Sequence, residues 1–158
     1  MTTGPTIAPR VSLRLVPQVA PWWQRLLAGA VAGAGLALLV VAQGLTPDAS
    51  GLGTHHQLGL EACGFLKYTG LPCATCGMTT AVSHAAHGQL LAAAVAQPAG
   101  AAFALAVAAA VLVAGYAAVT GMATGPVLRW VWRPTTMWVV LGLGALAWGY
   151  KVLVVLLT

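Results

Sequence analysis

Three long apolar runs dominate the chain: Leu26 to Leu45, Ala99 to Val119 and Thr135 to Leu157. The first two carry no charge, and the third carries only Lys151. About 20 helical residues, at about 1.5 Å each, cross a hydrocarbon core of about 30 Å. The pattern therefore predicts three membrane-spanning helices. Local signals agree at their ends. Gln97-Pro98 precedes the second run, where Pro suits a first helical turn. Gly121 and Gly125-Pro126 close that run, and Pro134 opens the third. A cleaved signal peptide competes for the first run, with Val40-Val41-Ala42 as the small-residue site, but both the run and the segment before it are long for a signal. Gly29 and Gly33 form a G-x-x-x-G that would let another helix approach closely.

The expected organisation is a cytoplasmic tail and interface anchor over 1–25 and a span over 26–45. An outer loop follows over 46–98, then a span over 99–119, a cytoplasmic loop over 120–134 and a final span over 135–158. Hydrophobic residues make up 59% of the chain and charged ones 6%, against about 45–50% and 25% in soluble domains. The fold class is thus an all-α integral membrane protein whose first outer loop carries a short amphipathic or re-entrant helix. The lipid bilayer is its first partner, and other membrane helices, in a homo-oligomer or a larger complex, are the next.

The formal charge of +5 changes the picture only through its placement. Nucleic-acid binding is excluded, because it needs cations clustered on one face and these sit at the edges of apolar runs. Arg10, Arg14 and Arg25 precede the first run, and Arg129 and Arg133 lie between the second and third. A Lys/Arg excess marks cytoplasmic segments, so the N-terminus is expected inside and the 46–98 loop outside. Trp22, Trp23 and Arg25, then Trp130, Trp132 and Arg133, with Trp138 just beyond, read as interfacial anchors. Residues 1–21, interrupted by Pro5, Pro9, Pro17 and Pro21, read as a surface tail.

All three cysteines fall in the first loop, in the pattern Cys63-x9-Cys73-x2-Cys76-Gly77, with Gly70 and Pro72 marking a turn. Three chemistries compete. A disulfide could join any two of them on an oxidising outer face. A redox pair would use Cys73 as nucleophile and Cys76 as resolving thiol, since a helix start stabilises a thiolate. A metal ion is the only cofactor considered, held by Cys63, Cys73, Cys76 and one of His55, His56 or His84. Residues Cys76 to Gln89 predict a short helix with Cys76, Thr80, Ser83, His84 and His87 along one stripe, lying at the membrane surface. That helix puts His87 roughly 16 Å beyond Cys76, too far for both to bind one ion.

The loop resembles a bacterial membrane protein family of unknown function, numbered 2752. Cys63, Phe65, Thr69, Gly70, Pro72, Cys73, Cys76, Gly77 and Thr79 match its motif in order. Ala74, Thr80 and Gln97 stand where the motif has Pro, Arg and Asn. The resemblance implies a multi-pass protein of the bacterial cytoplasmic membrane with a cysteine motif, and no established activity. No carboxylate pair, phosphate loop or Ser/His/Asp set accompanies the cysteines. The leading expectation is accordingly a non-enzymatic structural or accessory component of a membrane assembly, its outer loop stapled by cysteines. A thiol-disulfide oxidoreductase or redox sensor using Cys73 and Cys76, as in quinone-linked membrane systems, is the alternative, and a metal-binding protein the third. Lys151 is expected to snorkel to the outer interface, or else to pair with Glu61 or approach the cysteines.

Overall fold

The computed structural model describes residues 19–157, and the tail expected over the preceding residues, with Arg10 and Arg14, lies outside them. Seven α-helices and one 3₁₀ turn are present among these residues: α1 (Trp22–Gln43), the turn Thr54–Leu58, α2 (Gly64–Thr69), α3 (Met78–Ala86), α4 (Leu90–Ala96), α5 (Pro98–Thr120), α6 (Gly125–Val131) and α7 (Pro134–Leu157). There is no β-strand among them, only an isolated bridge between Val19 and Met122. Helices α1, α5 and α7 are each long and apolar enough to cross a membrane.

Small residues let α1 and α5 pack antiparallel along their lengths. Gly29 faces Ala118, Ala32 faces Gly115, and a Cβ on Gly35 would fall 2.6 Å from a Val111 methyl. Further along, Ala42 and Ala104 share a buried cluster with Val82 of α3. The close crossing is thus at Gly35, whereas Gly33 of the G-x-x-x-G faces open space. Arg25 fastens one end of the pair, donating from Nε to the Ala118 carbonyl at 3.0 Å and from Nη2 to that of Val119 at 2.9 Å. The last carbonyls of a helix lack internal partners and carry partial negative charge, so a guanidinium suits them.

The loop helix differs from its expected form. It begins two residues after Cys76 and ends at Ala86, with His87 as its C-cap and Gly88 turning the chain at φ 77°. It is packed among the neighbouring helices rather than standing free of them. Thr80, Ala81, Val82 and Ser83 are all buried, because α3 packs against α1, α4 and α5. The Thr80 and Ser83 part of the polar stripe points inward and is satisfied there, while His84 is half-buried and His87 exposed. Ser83 Oγ donates to the Leu45 carbonyl at 2.7 Å, and the Thr80 and Thr54 hydroxyls meet at 2.9 Å. Thr54 in turn accepts the Asp48 N–H at 2.9 Å. Burying hydroxyls is tolerable only with such partners.

Of the three placements expected of it, Lys151 takes the approach to the cysteine loop. It does not snorkel and it does not pair with Glu61: it is 4% exposed, and its ammonium donates to the carbonyls of Ala96 at 2.9 Å and Gly51 at 3.4 Å. Trp148 Nε1 donates to the Pro72 carbonyl at 3.0 Å, and the Tyr150 hydroxyl to that of Val95 at 3.2 Å. These polar contacts hang α7 on the loop end of the bundle, while much of its apolar surface, including Trp138, Leu141 and Leu146, stays exposed.

Candidate functional site

Local backbone signals fold the 63–76 segment back on itself. Cys63 is the N-cap of α2, and that helix stops after six residues because Gly70 takes φ 72°. Thr69 braces the stop, donating to the Phe65 carbonyl at 2.6 Å and accepting the Leu71 N–H at 3.2 Å. Pro72 is buried and held through its carbonyl by Trp148. The chain then turns again, with the Cys76 N–H bonded to the Cys73 carbonyl at 3.0 Å. Gln97, itself fully buried, donates from Nε2 to the Ala74 carbonyl at 3.3 Å and holds this second turn from the start of α5. Its Oε1 has no hydrogen-bond partner among the described residues.

The result is a cluster of three thiols. The Sγ atoms of Cys63, Cys73 and Cys76 all lie within 4.8 Å of one another. Cys73 and Cys76 are in contact at 3.2 Å, and the Thr75 hydroxyl is also 3.2 Å from the Cys73 sulfur. A disulfide needs sulfurs about 2.05 Å apart, so the expected staple is not formed and all three cysteines are free. The three sulfurs could hold one metal ion. His84 is engaged elsewhere, its Nδ1 lying 2.7 Å from Gln89 Oε1. His87 Nδ1 lies 2.8 Å from the Ser83 carbonyl. His55 and His56 stack on each other and contact the carbonyls of Glu61 and Leu60.

The two thiols of the C-x-x-C are driven apart in acidity. Burial pushes the Cys73 thiol up, but hydrogen bonds to its thiolate from Thr75, Cys76 and Cys63 outweigh that and bring it down to about 7. Cys76 is the more buried, and burial together with its hydrogen bonds to the other two cysteines pushes it up to about 12. One proton is thus easily lost from the pair and the second is held.

An apolar cavity of about 720 Å³ opens onto the cluster. All three cysteines line it, together with Leu38 and Val41 from α1 and Phe103 from α5. Nothing in the hydrophobic pattern marked this cavity, since its apolar wall comes from residues that also read as ordinary span positions. Lys151 takes the position near the cysteines that the sequence allowed as an alternative. A Cβ on Gly77 would fall 3.2 Å from its Nζ, so the ammonium packs against the residue following Cys76.

Residues 63–111 match the model of a family described as a protein of unknown function, DUF2752. That is the family the loop motif resembles. The DUF2752 match begins at Cys63 and ends within α5, so it takes in all three thiols, the turn residues that gather them and the whole of α3. No curated protein and no solved structure matches the chain. The anchor residues lie outside the matched segment. Trp22, Trp23, Trp130, Trp132 and Trp138 are all exposed, as is Arg133.

Proposed function

We propose that this is a membrane thiol-disulfide protein in which Cys73 and Cys76 alternate between a dithiol and a disulfide. The carrying observation is the pair itself: sulfurs 3.2 Å apart, one ionising at about 7 and the other held protonated. The thiolate is the attacking species in exchange. Cys73 attacks a partner's disulfide, releases one partner sulfur as a thiol and leaves a mixed disulfide. Cys76 then displaces the second partner sulfur, so one disulfide is consumed and one is formed. Run backwards, the same steps oxidise a partner dithiol. Cys63 touches the pair and supports the Cys73 thiolate by hydrogen bonding.

The reading places the loop on the outer side of a bacterial cytoplasmic membrane with the N-terminus inside, where thiol oxidation is sustained. It also allows the exposed face of α7 to meet other membrane helices, in a homo-oligomer or a larger assembly. Redox titration of the purified full chain in glutathione buffers tests it. One reversible two-electron transition, lost in Cys73→Ser and in Cys76→Ser, is expected within about −270 to −120 mV, the span of known exchange proteins. No transition in that range overturns the proposal.

A second reading is favoured by the convergence of all three sulfurs, since thiolates select soft ions such as Zn²⁺ or Cu⁺. With His84 bound to Gln89, a fourth ligand would have to move or come from outside the cluster. Elemental analysis separates the readings. One tightly held equivalent of zinc or copper, lost in Cys63→Ser, would favour the metal site.

A further inference from the structure

Resting on the thiol-redox reading, we propose that the apolar cavity beside the thiols admits a lipid-soluble quinone, which serves as the electron acceptor for the Cys73–Cys76 pair. Three observations converge on this ligand class. First, the cavity wall is shared between the thiols and a spanning helix. Leu38 and Val41 belong to the second half of α1 and are 38% and 52% exposed on a helix long and apolar enough to span. A ligand dissolved in the hydrocarbon can therefore reach the sulfurs without crossing water.

Second, the lining selects against charged acceptors. Among the described residues no Lys or Arg lines the cavity, and its ionisable groups apart from the thiols are His55 and Glu61. Nucleotides and flavin phosphates bring negative phosphate groups, for which the lining offers no Lys or Arg among the described residues. A quinone brings a flat apolar ring and two neutral carbonyl acceptors. Phe103 supplies apolar surface and Thr79 a hydroxyl donor on the same wall. Such a balance, mostly apolar with a few convergent polar groups, is that of small-molecule sites, and about 720 Å³ is within their usual range.

Third, the pair has the acidity the reaction needs. Cys73 is the sulfur that ionises at about 7, and it faces the cavity. The step balances: both thiols lose their protons, the S–S bond forms between Cys73 and Cys76, and two electrons reduce the quinone. The two protons end on its oxygens, directly or through water, and a quinol leaves. The quinone thus regenerates the Cys73–Cys76 disulfide that is consumed when the exchange runs in reverse and oxidises a partner dithiol.

The test uses the reduced full-length chain in lipid nanodiscs under anaerobic conditions. The probe is a fully ring-substituted 1,4-benzoquinone with a short alkyl tail, which has no free ring position for a thiol to add to. Quinol formation is read by absorbance, and thiol loss by alkylation and mass. We expect one quinol per chain and a Cys73–Cys76 bridge, both absent in Cys73→Ser. Leu38→Trp and Val41→Trp fill the mouth from the lipid side, and each should lower the ratio of the quinone rate to the rate with oxidised glutathione at least tenfold. Taking a ratio removes any general loss of folded protein. Oxidation by glutathione disulfide with no quinol formed would overturn the quinone site and leave the redox reading standing. Equal slowing with both oxidants would also overturn it, and no bridge with either oxidant would sink both.

Discussion

The ionisation of Cys73 sets the pH range in which the cluster is reactive. Because its thiolate is stabilised to about 7, alkylation by a membrane-impermeant reagent should rise about tenfold per pH unit below that value and level off above it, whereas an unperturbed thiol keeps rising to about 8.5. Cys76→Ala and Cys63→Ala each remove a hydrogen bond to the thiolate, and Thr75→Val removes a third. Each should therefore move the Cys73 midpoint upward. A midpoint that stays near 7 in all three would show that the neighbours do not set it. Lys151 is a second residue whose effect can be isolated. Lys151→Met keeps much of the side-chain volume but leaves the Ala96 and Gly51 carbonyls without their donor. Hydrogen bonds to charged groups are worth about 1.5–3 kcal/mol, so the thermal midpoint should fall accordingly. A midpoint equal to that of wild type would mean that the ammonium is solvated rather than bound.

At the scale of elements, the start of α3 depends on one residue. Gly77 lies at φ 85°, and a Cβ there would sit 2.7 Å from the Gly51 carbonyl and 3.2 Å from Lys151 Nζ. The left-handed region costs a non-glycine residue roughly 1–2 kcal/mol before any clash. Gly77→Ala should thus destabilise by at least that amount and dislodge Cys76, raising the alkylation of Cys76 along with loss of melting temperature. If Gly77→Ala melts normally with Cys76 still protected, the turn tolerates a side chain and the packing described is wrong. The far end of the α1–α5 pair depends on Arg25. Its site is exposed, so Arg25→Ala should cost only about 1 kcal/mol, read by chemical denaturation in detergent micelles. A loss several times larger would mean that Arg25 does more than cap α5.

For the whole molecule, the arginine distribution and three helices in alternating directions predict one orientation. A reporter active only outside the cytoplasm should work when inserted in the Cys63–Gln89 loop and fail at Gly125. The opposite pattern would place the thiols in a reducing compartment. Much of this level was legible from the chain alone: apolar runs of spanning length, bounded by Pro, Gly and Trp/Arg, specify three long helices because lipid leaves a backbone few other ways to satisfy its polar groups. The turn residues Gly70 and Pro72, and the motif resembling DUF2752, likewise marked the turn before Cys73, whereas the bracing by Thr69 came only with the structure. The state of the three thiols was not legible. Spacing allows a bridge, a metal site or a dithiol equally, and only distances and the surrounding donors separate them. Nor did helical periodicity reveal that the Thr80 and Ser83 part of the α3 polar stripe faces inward, since both look solvent-facing until Thr54 and the Leu45 carbonyl are brought against them. Lys151 carries the same lesson. A lone cation seven residues from the end of a span can reach water, and only the folding of two remote carbonyls, from Gly51 and Ala96, decides that it turns inward. Element formation follows from local and solvent physics, which a sequence carries in full. The cluster, the cavity and the buried ammonium depend on contacts between residues up to about a hundred positions apart, and these exist only once the helices have packed.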